Sequence, residues 1–334
     1  MKRTLSGIAP SGDGALHIGN YFGAVKQHIE AQEKNEETFF FIADYHAINV
    51  VNDKEQLENN IKQLVLNYIA LGIDPSKTIF YRQSDIPAVC ELQTILNNVT
   101  PLGLIKRAHA YKDKLQKNTN EDSINMGLFS YPILMAADIL LYHATSVPVG
   151  KDQKQHLEMT RDIASFFNST YGDYFNLPEP DIRENVAVVV GTDGERKMSK
   201  SLGNIISIFD SEDVIRKQIF STFTDPDRLK PTDPGKVEGN TIFLYHDLLN
   251  DDKDEVKDLK IRYKEGKVGD VEVKEKLLIA HLNYFADARK RYNELKDNEA
   301  ELVRILEEGK TKAQKIANQT MKEVRELVGL NVFK

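Results

Sequence analysis

The sequence predicts an α/β fold: a Rossmann-like, doubly wound parallel sheet followed by an all-α C-terminal part. Three observations carry this. Short β-rich runs alternate with helical patterns up to about Ser207, as βαβ units in a parallel sheet require. The central runs are continuously apolar, as in Thr38–Asp44 (TFFFIAD) and Val186–Val190 (VAVVV), which suits strands buried on both faces. From about Ser207 strand candidates vanish and charged helical segments take over.

Taken in order, Thr4–Ile8 reads as the first strand, and Ala9–Gly14 as a Gly/Pro/Ser loop before a helix from about Asn20 to Gln32. Thr38–Asp44 is the second strand. Asn52 and Asp53 can cap a helix whose apolar stripe is Leu57, Ile61, Leu64, Val65, Tyr68 and Leu71, and Gly72 stops it. Thr78–Arg82 (TIFYR) is the third strand, and Pro87 opens a helix to about Asn98. Pro101–Asn125 is polar and Lys-rich and reads as an insertion. A helix over Gly127–Tyr142, a strand at Ser146–Val149, a helix over Gln153–Phe167 and a last strand at Val186–Val190 complete the sheet region. Beyond it, Asp225–Gly239 is a loop holding Pro226, Pro231 and Pro234. Val271–Lys296 and Asn298–Val328 read as long helices, the second expected to bend or divide at Gly309. The boundary falls near 203–210, giving a domain at 1–206 with an insertion at about 101–126, and a helical domain at 207–334. In a doubly wound sheet the ligand site lies at the carboxyl ends of the strands.

Composition bounds the function. A length of 334 residues suits two domains. With 41% hydrophobic and 28% charged residues, the chain has enough apolar content to bury a core in each. The formal net charge is −7, so contact with nucleic acid would have to come from a local basic patch. The single cysteine, Cys90, excludes an intrachain disulfide and any cysteine-rich zinc or iron–sulfur site, and fits a reducing cytoplasm. No apolar run approaches the ~20 residues of a membrane-spanning helix.

Two motifs carry chemistry. Pro10-Ser11-Gly12-Asp13-Gly14-Ala15-Leu16-His17-Ile18-Gly19-Asn20 follows a strand and opens a helix. Its glycines let backbone approach a phosphate, and the helix start presents N–H groups to an anion. His17 can donate to a phosphate oxygen, and Gly19 leaves room for an adenine ring. The second motif is Lys197-Met198-Ser199-Lys200-Ser201, flanked by Gly191, Gly194 and Gly203. Its two lysines can both reach one polyphosphate and neutralise charge on a leaving pyrophosphate. Taken singly, each has an ordinary alternative: a glycine-rich turn that is only a turn, and a basic loop that is only solvated.

Together the motifs resemble the signatures of class I aminoacyl-tRNA synthetases. The segments 6–24 (SGIAPSG…HIGNYFGA), 43–48 (ADYHAI), 127–142 (GLFSYPILMAADILLY) and 147–164 (VPVGKDQKQHLEMTRDIA) resemble the tryptophanyl branch. A carboxylate at Asp138 on an otherwise apolar helix costs several kcal/mol unless a donor satisfies it. Alone it reads as a capping or salt-bridged Asp. The resemblance implies instead that it accepts the indole N–H of tryptophan, so that phenylalanine would leave a buried acceptor unpaired.

The resemblance further implies that Tyr131 and Gln153 hold the substrate α-amino group, that Met135 lines the ring pocket and that His46 lies beside the amino acid. A lone His is also commonly structural. Gly150 and Asp152 would lie near the ATP ribose. Pro10, Ser11, Gly12, Gly19 and Asn20 would shape the nucleotide site with Met198, Ser199 and Ser201. His17, Lys197 and Lys200 would touch the transition state, with Mg²⁺ bridging the ATP phosphates and no zinc or iron–sulfur cluster. Lys112 and Lys114 match lysines that move onto the triphosphate, or are a solvated charge run. The implied partners are ATP, L-tryptophan and tRNA(Trp), in a cytoplasmic homodimer with the insertion near its interface and no membrane contact. The helical part would read the anticodon, with Arg289, Lys290, Arg291, Lys310, Lys312 and Lys315 as basic candidates. Four positions depart from the pattern: Ala9 where Gln is common, Leu5 where an aromatic is common, Lys151, and a long Asp13–Leu16 loop. A tyrosyl enzyme, the nearest rival, would need a hydroxyl partner on the first strand, where Leu5 stands.

Overall fold

A computed structural model gives the fold. It describes residues 2–333 apart from 11, 13, 35–36, 117–123, 149, 151–152, 182–188, 226–227, 229 and 231. Among the described residues five parallel strands form the sheet, β1 (Arg3–Ile8), β2 (Glu37–Ile42), β3 (Thr78–Arg82), β4 (Ser146–Pro148) and β5 (Glu179–Asp181), in the order β3-β2-β1-β4-β5. The register sets Leu5 beside Phe39 and Phe39 beside Ile79. Alternation along β2 divides the core. Phe39 and Phe41 join one apolar cluster, and Phe40 and Ile42 join the other, on opposite faces of the sheet.

The helices between the strands follow the sequence signals with local exceptions. The helix expected at Asn20–Gln32 is three pieces: α1 (Ile18–Asn20), a π-helical turn (Tyr21–Val25) and α2 (Lys26–Gln32). The second strand stops at Ile42, and Asp44 opens the short α3 (Asp44–Ala47). Asp44 is buried because its Oδ1 accepts N–H groups from Tyr45 and Ser84, at 3.1 and 2.9 Å. In α4 (Lys54–Leu71) the Asp53 side chain caps Gln56 N–H, and Gly72 ends the helix at φ 117°. Pro87 is the N-cap of α5 (Ala88–Asn97). Among its described residues the polar insertion holds α6 (Leu102–Ile105) and α7 (His109–Gln116); Lys112 and Lys114 stand exposed on α7. Then come α8 (Met126–Leu141) and α9 (Lys154–Tyr171).

The fifth strand differs from the expectation. Glu179–Asp181 pairs with β4, whereas of the Val186–Val190 run residues 186–188 lie outside the described residues and Val190 makes only an isolated bridge to Lys197. Hydrophobicity points away from β5 because it holds Pro180 and is half-exposed, both of which an edge strand tolerates.

The C-terminal helices are α10 (Glu212–Phe220), α11 (Thr241–Leu249), α12 (Lys253–Lys264), α13 (Asp270–Tyr284), α14 (Ala286–Leu295) and α15 (Glu299–Leu327). The helix expected over Val271–Lys296 breaks at Phe285, whose ring is buried against Tyr21, His281 and Tyr284. Gly309 does not divide α15. A Cβ there would run into the backbone of Phe80, so glycine is what lets the helix lie directly on β3. On one side of Gly309, Leu302 and Ile305 join one apolar cluster; on the other, Ala313, Ala317, Met321 and Val324 join the second. Helix α15 thus crosses the edge strand from one face of the sheet to the other. Arg289 and Arg291 turn inward, donating to the carbonyls of Ile208 at 2.6 Å and Ala70 at 2.8 Å.

Candidate active site

Strand ends position the site. A cavity of about 480 Å³ opens where β1, β2 and β4 end, lined among others by Ile8, Ala9, Ala43, Pro148, Gly150 and Gln153. One face of α8 forms its wall. Tyr131, Met135 and Asp138 fall at i, i+4 and i+7, which is a single helical stripe. Leu5 and His46 also line it.

Asp138 is buried at 4% exposure, and burial pushes its carboxyl above the usual range. Two neighbours work against that shift. His46 Nε2 lies 3.0 Å from Oδ2, and the Gln83 side-chain NH₂ donates to both carboxylate oxygens at 2.9 Å. His46 is therefore tied to the same carboxylate that the sequence singled out. Gln83 was not visible in the sequence as a site residue; the one available signal is a polar side chain just past the buried TIFYR strand.

A second network sits at the opposite end. The Tyr131 hydroxyl meets His156 Nε2, and His156 Nδ1 lies 3.0 Å from Gln153 Oε1. A carboxamide oxygen only accepts, so Nδ1 carries the hydrogen and Nε2 accepts from the tyrosine. Burial raises Tyr131 to about 12, which keeps it a neutral donor. Sequence reasoning picked Tyr131 and Gln153 but missed His156, one turn along α9 from Gln153.

The two signature motifs meet each other. Ile18 N–H donates to Ile206 carbonyl at 3.0 Å, and His17 bridges Ser207. The Asn20 side chain accepts from His17 N–H at 3.1 Å, fixing the helix start. Gly19 fits between the motifs: a Cβ there would stand 2.9 Å from His17 Nδ1 and 3.1 Å from Met198 Cβ. Met198 is buried and anchors its loop by donating N–H to the Val189 carbonyl at 2.9 Å. Asn204 organises the rest. Its Oδ1 accepts from Ser199 N–H at 2.7 Å, and its Nδ2 donates to Asp193 Oδ2 at 2.8 Å. This anchor was not foreseen from the sequence. Ser199 and Ser201 hydroxyls are 3.0 Å apart. Lys197 is exposed and Lys200 half-buried, the latter lining a cleft with Ala15, Leu16 and Ser207. Pro10 and Gly12 carbonyls accept from Asn60 and Gln56 of α4 at 3.4 and 3.3 Å. Ser11, Asp13, Lys151 and Asp152 lie outside the described residues. Among the described residues no group of three His, Cys, Asp or Glu side chains could hold a metal ion, and no helix is long and apolar enough to cross a membrane.

Comparison with known proteins agrees with this geometry. The model of a family described as tRNA synthetases class I (W and Y) matches residues 1–286. The tryptophan–tRNA ligase of Campylobacter jejuni is 49% identical over 328 residues, spanning 98% of this chain and 100% of that protein. The tryptophan–tRNA ligase of Fusobacterium nucleatum is 46% identical over 331 residues, spanning 99% and 98%. The crystal structure of Campylobacter jejuni tryptophanyl-tRNA synthetase complexed with ADP and tryptophan has a TM-score of 0.90 at 48% identity, covering 98% of this chain and 99% of that one. The chain belongs to the class I tRNA synthetases (W and Y), among the tryptophan–tRNA ligases.

Proposed function

We propose that the protein joins L-tryptophan to tRNA(Trp) in two steps at the cavity between β1, β4 and α8. The tryptophan carboxylate attacks the ATP α-phosphorus in line, the bond to pyrophosphate breaks, and tryptophanyl-adenylate forms. The 2′-hydroxyl of the tRNA 3′-terminal adenosine then attacks the acyl carbon, and AMP leaves. The substrate supplies its own nucleophile, so the protein contributes position and charge. The observation that carries the reading is Asp138, a buried carboxylate on the stripe of Tyr131 and Met135, where it can accept an indole N–H. Leu5 lines the same cavity and offers no partner for a tyrosine hydroxyl.

Tyr131 and Gln153 are assigned to the α-amino group, since each presents an oxygen that accepts from an ammonium. His46 sits beside the ring through its bond to Asp138. His17, Lys197 and Lys200 are assigned to the phosphates, with Pro10, Ser11, Gly12, Gly19, Asn20, Gly150, Asp152, Met198, Ser199 and Ser201 shaping the nucleotide site. Mg²⁺ bound to ATP would supply charge neutralisation at the phosphates that Lys197 and Lys200 are assigned to hold. Residues 207–334 are assigned to anticodon reading and 1–206 to catalysis. Arg289 and Arg291 are engaged with backbone carbonyls, Lys310 pairs with Glu307 and Lys312 reaches the Pro75 carbonyl, which leaves Lys290 and Lys315, both exposed, as better candidates for RNA contact. A homodimer is supported by exposed Ile48, Val50, Leu102 and Met126 around the insertion. A tRNA substrate supports a cytoplasmic reading. Pyrophosphate exchange into ATP, run with each of the twenty amino acids, tests the assignment: tryptophan alone is expected to support exchange, and exchange with tyrosine alone would overturn it.

A further inference from the structure

Gln83 is 1% exposed and does not line the cavity, yet its side chain reaches the one carboxylate on which substrate choice is proposed to rest. Its orientation is fixed from behind. Gln83 Oε1 accepts the Tyr45 N–H at 3.1 Å, a hydrogen also shared with Asp44 Oδ1. An N–H can only be met by the oxygen end of a carboxamide, so the NH₂ end must face Asp138. It does so symmetrically, at 2.9 Å to each oxygen. His46 adds a second contact to Oδ2 at 3.0 Å. Oδ2 therefore meets two partners and Oδ1 one, which leaves Oδ1 the oxygen with lone-pair capacity for a donor in the cavity.

We propose that Gln83 is a positioning residue for amino-acid selection: anchored by the Tyr45 amide, it fixes the plane of the Asp138 carboxylate and presents Oδ1 to the indole N–H. This rests on the reading of Asp138 as the indole acceptor. Hydrogen bonds to a charged group are stronger than neutral ones, so losing this donor loosens the acceptor without touching the nucleotide site.

The test compares the full-length wild type with Gln83→Met, Gln83→Glu and Asp138→Asn in pyrophosphate exchange. The two probes are L-tryptophan and 3-(benzothien-3-yl)alanine, in which sulfur replaces the indole N–H. For Gln83→Met the KM for tryptophan is expected to rise roughly ten- to hundredfold. The KM for ATP should stay within about twofold, and the preference for tryptophan over the thienyl analogue should collapse toward that of Asp138→Asn. Gln83→Glu keeps the acceptor for Tyr45 and the side-chain volume, and its carboxyl donates to Asp138 only while the pair shares a proton; should Gln83→Met fold poorly, a preference kept at low pH and lost at high pH supports the inference, and one that ignores pH counts against it. Equal losses for both amino acids, or no loss, would show that Gln83 is structural and overturn the inference alone, provided Asp138→Asn changes the preference. An unchanged preference in Asp138→Asn would overturn both.

Discussion

The amide of Ile18 and the carbonyl of Ile206 are hydrogen-bonded at 3.0 Å, joining the start of the first signature helix to the segment that follows the Lys197–Ser201 loop. Gly19, one residue farther along, packs against Met198, so the two motifs touch at both places. Gly19→Ala is accordingly expected to press on His17 and Met198 at 2.9 and 3.1 Å. The KM for ATP should rise while tryptophan affinity, measured by equilibrium dialysis without ATP, holds steady.

Lys197 and Lys200 are expected to act only as charge develops on the phosphates. Each change to alanine should slow exchange by roughly a hundred- to a thousandfold, with little change in the KM for tryptophan. A parallel rise in tryptophan KM would count against the assignment.

Asn204 is buried and holds both Ser199 and Asp193. Its replacement by alanine leaves the part-buried Ser199 amide without its acceptor, at about 1–3 kcal/mol, and leaves Asp193 with only its contacts to Glu195 and Arg196. The expected signature is faster proteolysis within 191–204 and a lower kcat for exchange, with the tryptophan pocket unaffected.

Gly309→Ala sets two effects against each other. Helix propensity favours alanine by about 1 kcal/mol, but the new Cβ meets the backbone of Phe80. Overpacking of a tight site costs about 1–3 kcal/mol, and here the obstacle is backbone that cannot turn aside. The variant should melt below wild type. A rise in Tm would show that α15 can lift off β3.

Acid sensitivity should draw on His281, with His246 and His143 lowered by burial in the same direction. Burial, helped by the charge of Arg289, lowers the His281 imidazole to about 3. Unfolded histidine titrates near 6.5, so between pH ~6.5 and 3 the unfolded chain binds a proton that the folded chain refuses. Stability from this group is complete above pH ~6.5 and is lost as pH falls, by about 1.4 kcal/mol per pH unit. Burial of Asp138 acts in the opposite direction, since its raised carboxyl takes up a proton in the fold first. Thermal melts from pH 7 to 5 should therefore fall more steeply for wild type than for His281→Leu.

What the sequence discloses and what it hides divide along physical lines. Phe39–Ile42 is legible as a strand because both faces are buried, and Asp138 is legible as a carboxylate on an otherwise apolar helix; Tyr131 and Met135 come from the family resemblance, and only the folded helix shows all three on one stripe. Strand β5 is illegible because an edge needs neither apolar faces nor a full set of N–H donors. Gln83 and Asn204 are invisible for another reason. Gln83 is 55 residues from Asp138, and Asn204 acts through backbone geometry of its loop; neither leaves a period or a composition to detect. Gly309 misleads because its helix-breaking tendency is local, whereas its use is a contact with a strand far earlier in the chain.

That contact bears on how the protein comes to be made. A ribosome delivers β3 long before α15, so during synthesis the flank of the growing sheet stays bare. Until the final helix emerges and clasps it, the strand can recruit a neighbouring polypeptide. A transcript cut short before α15 would thus yield a sticky product rather than merely a slow enzyme.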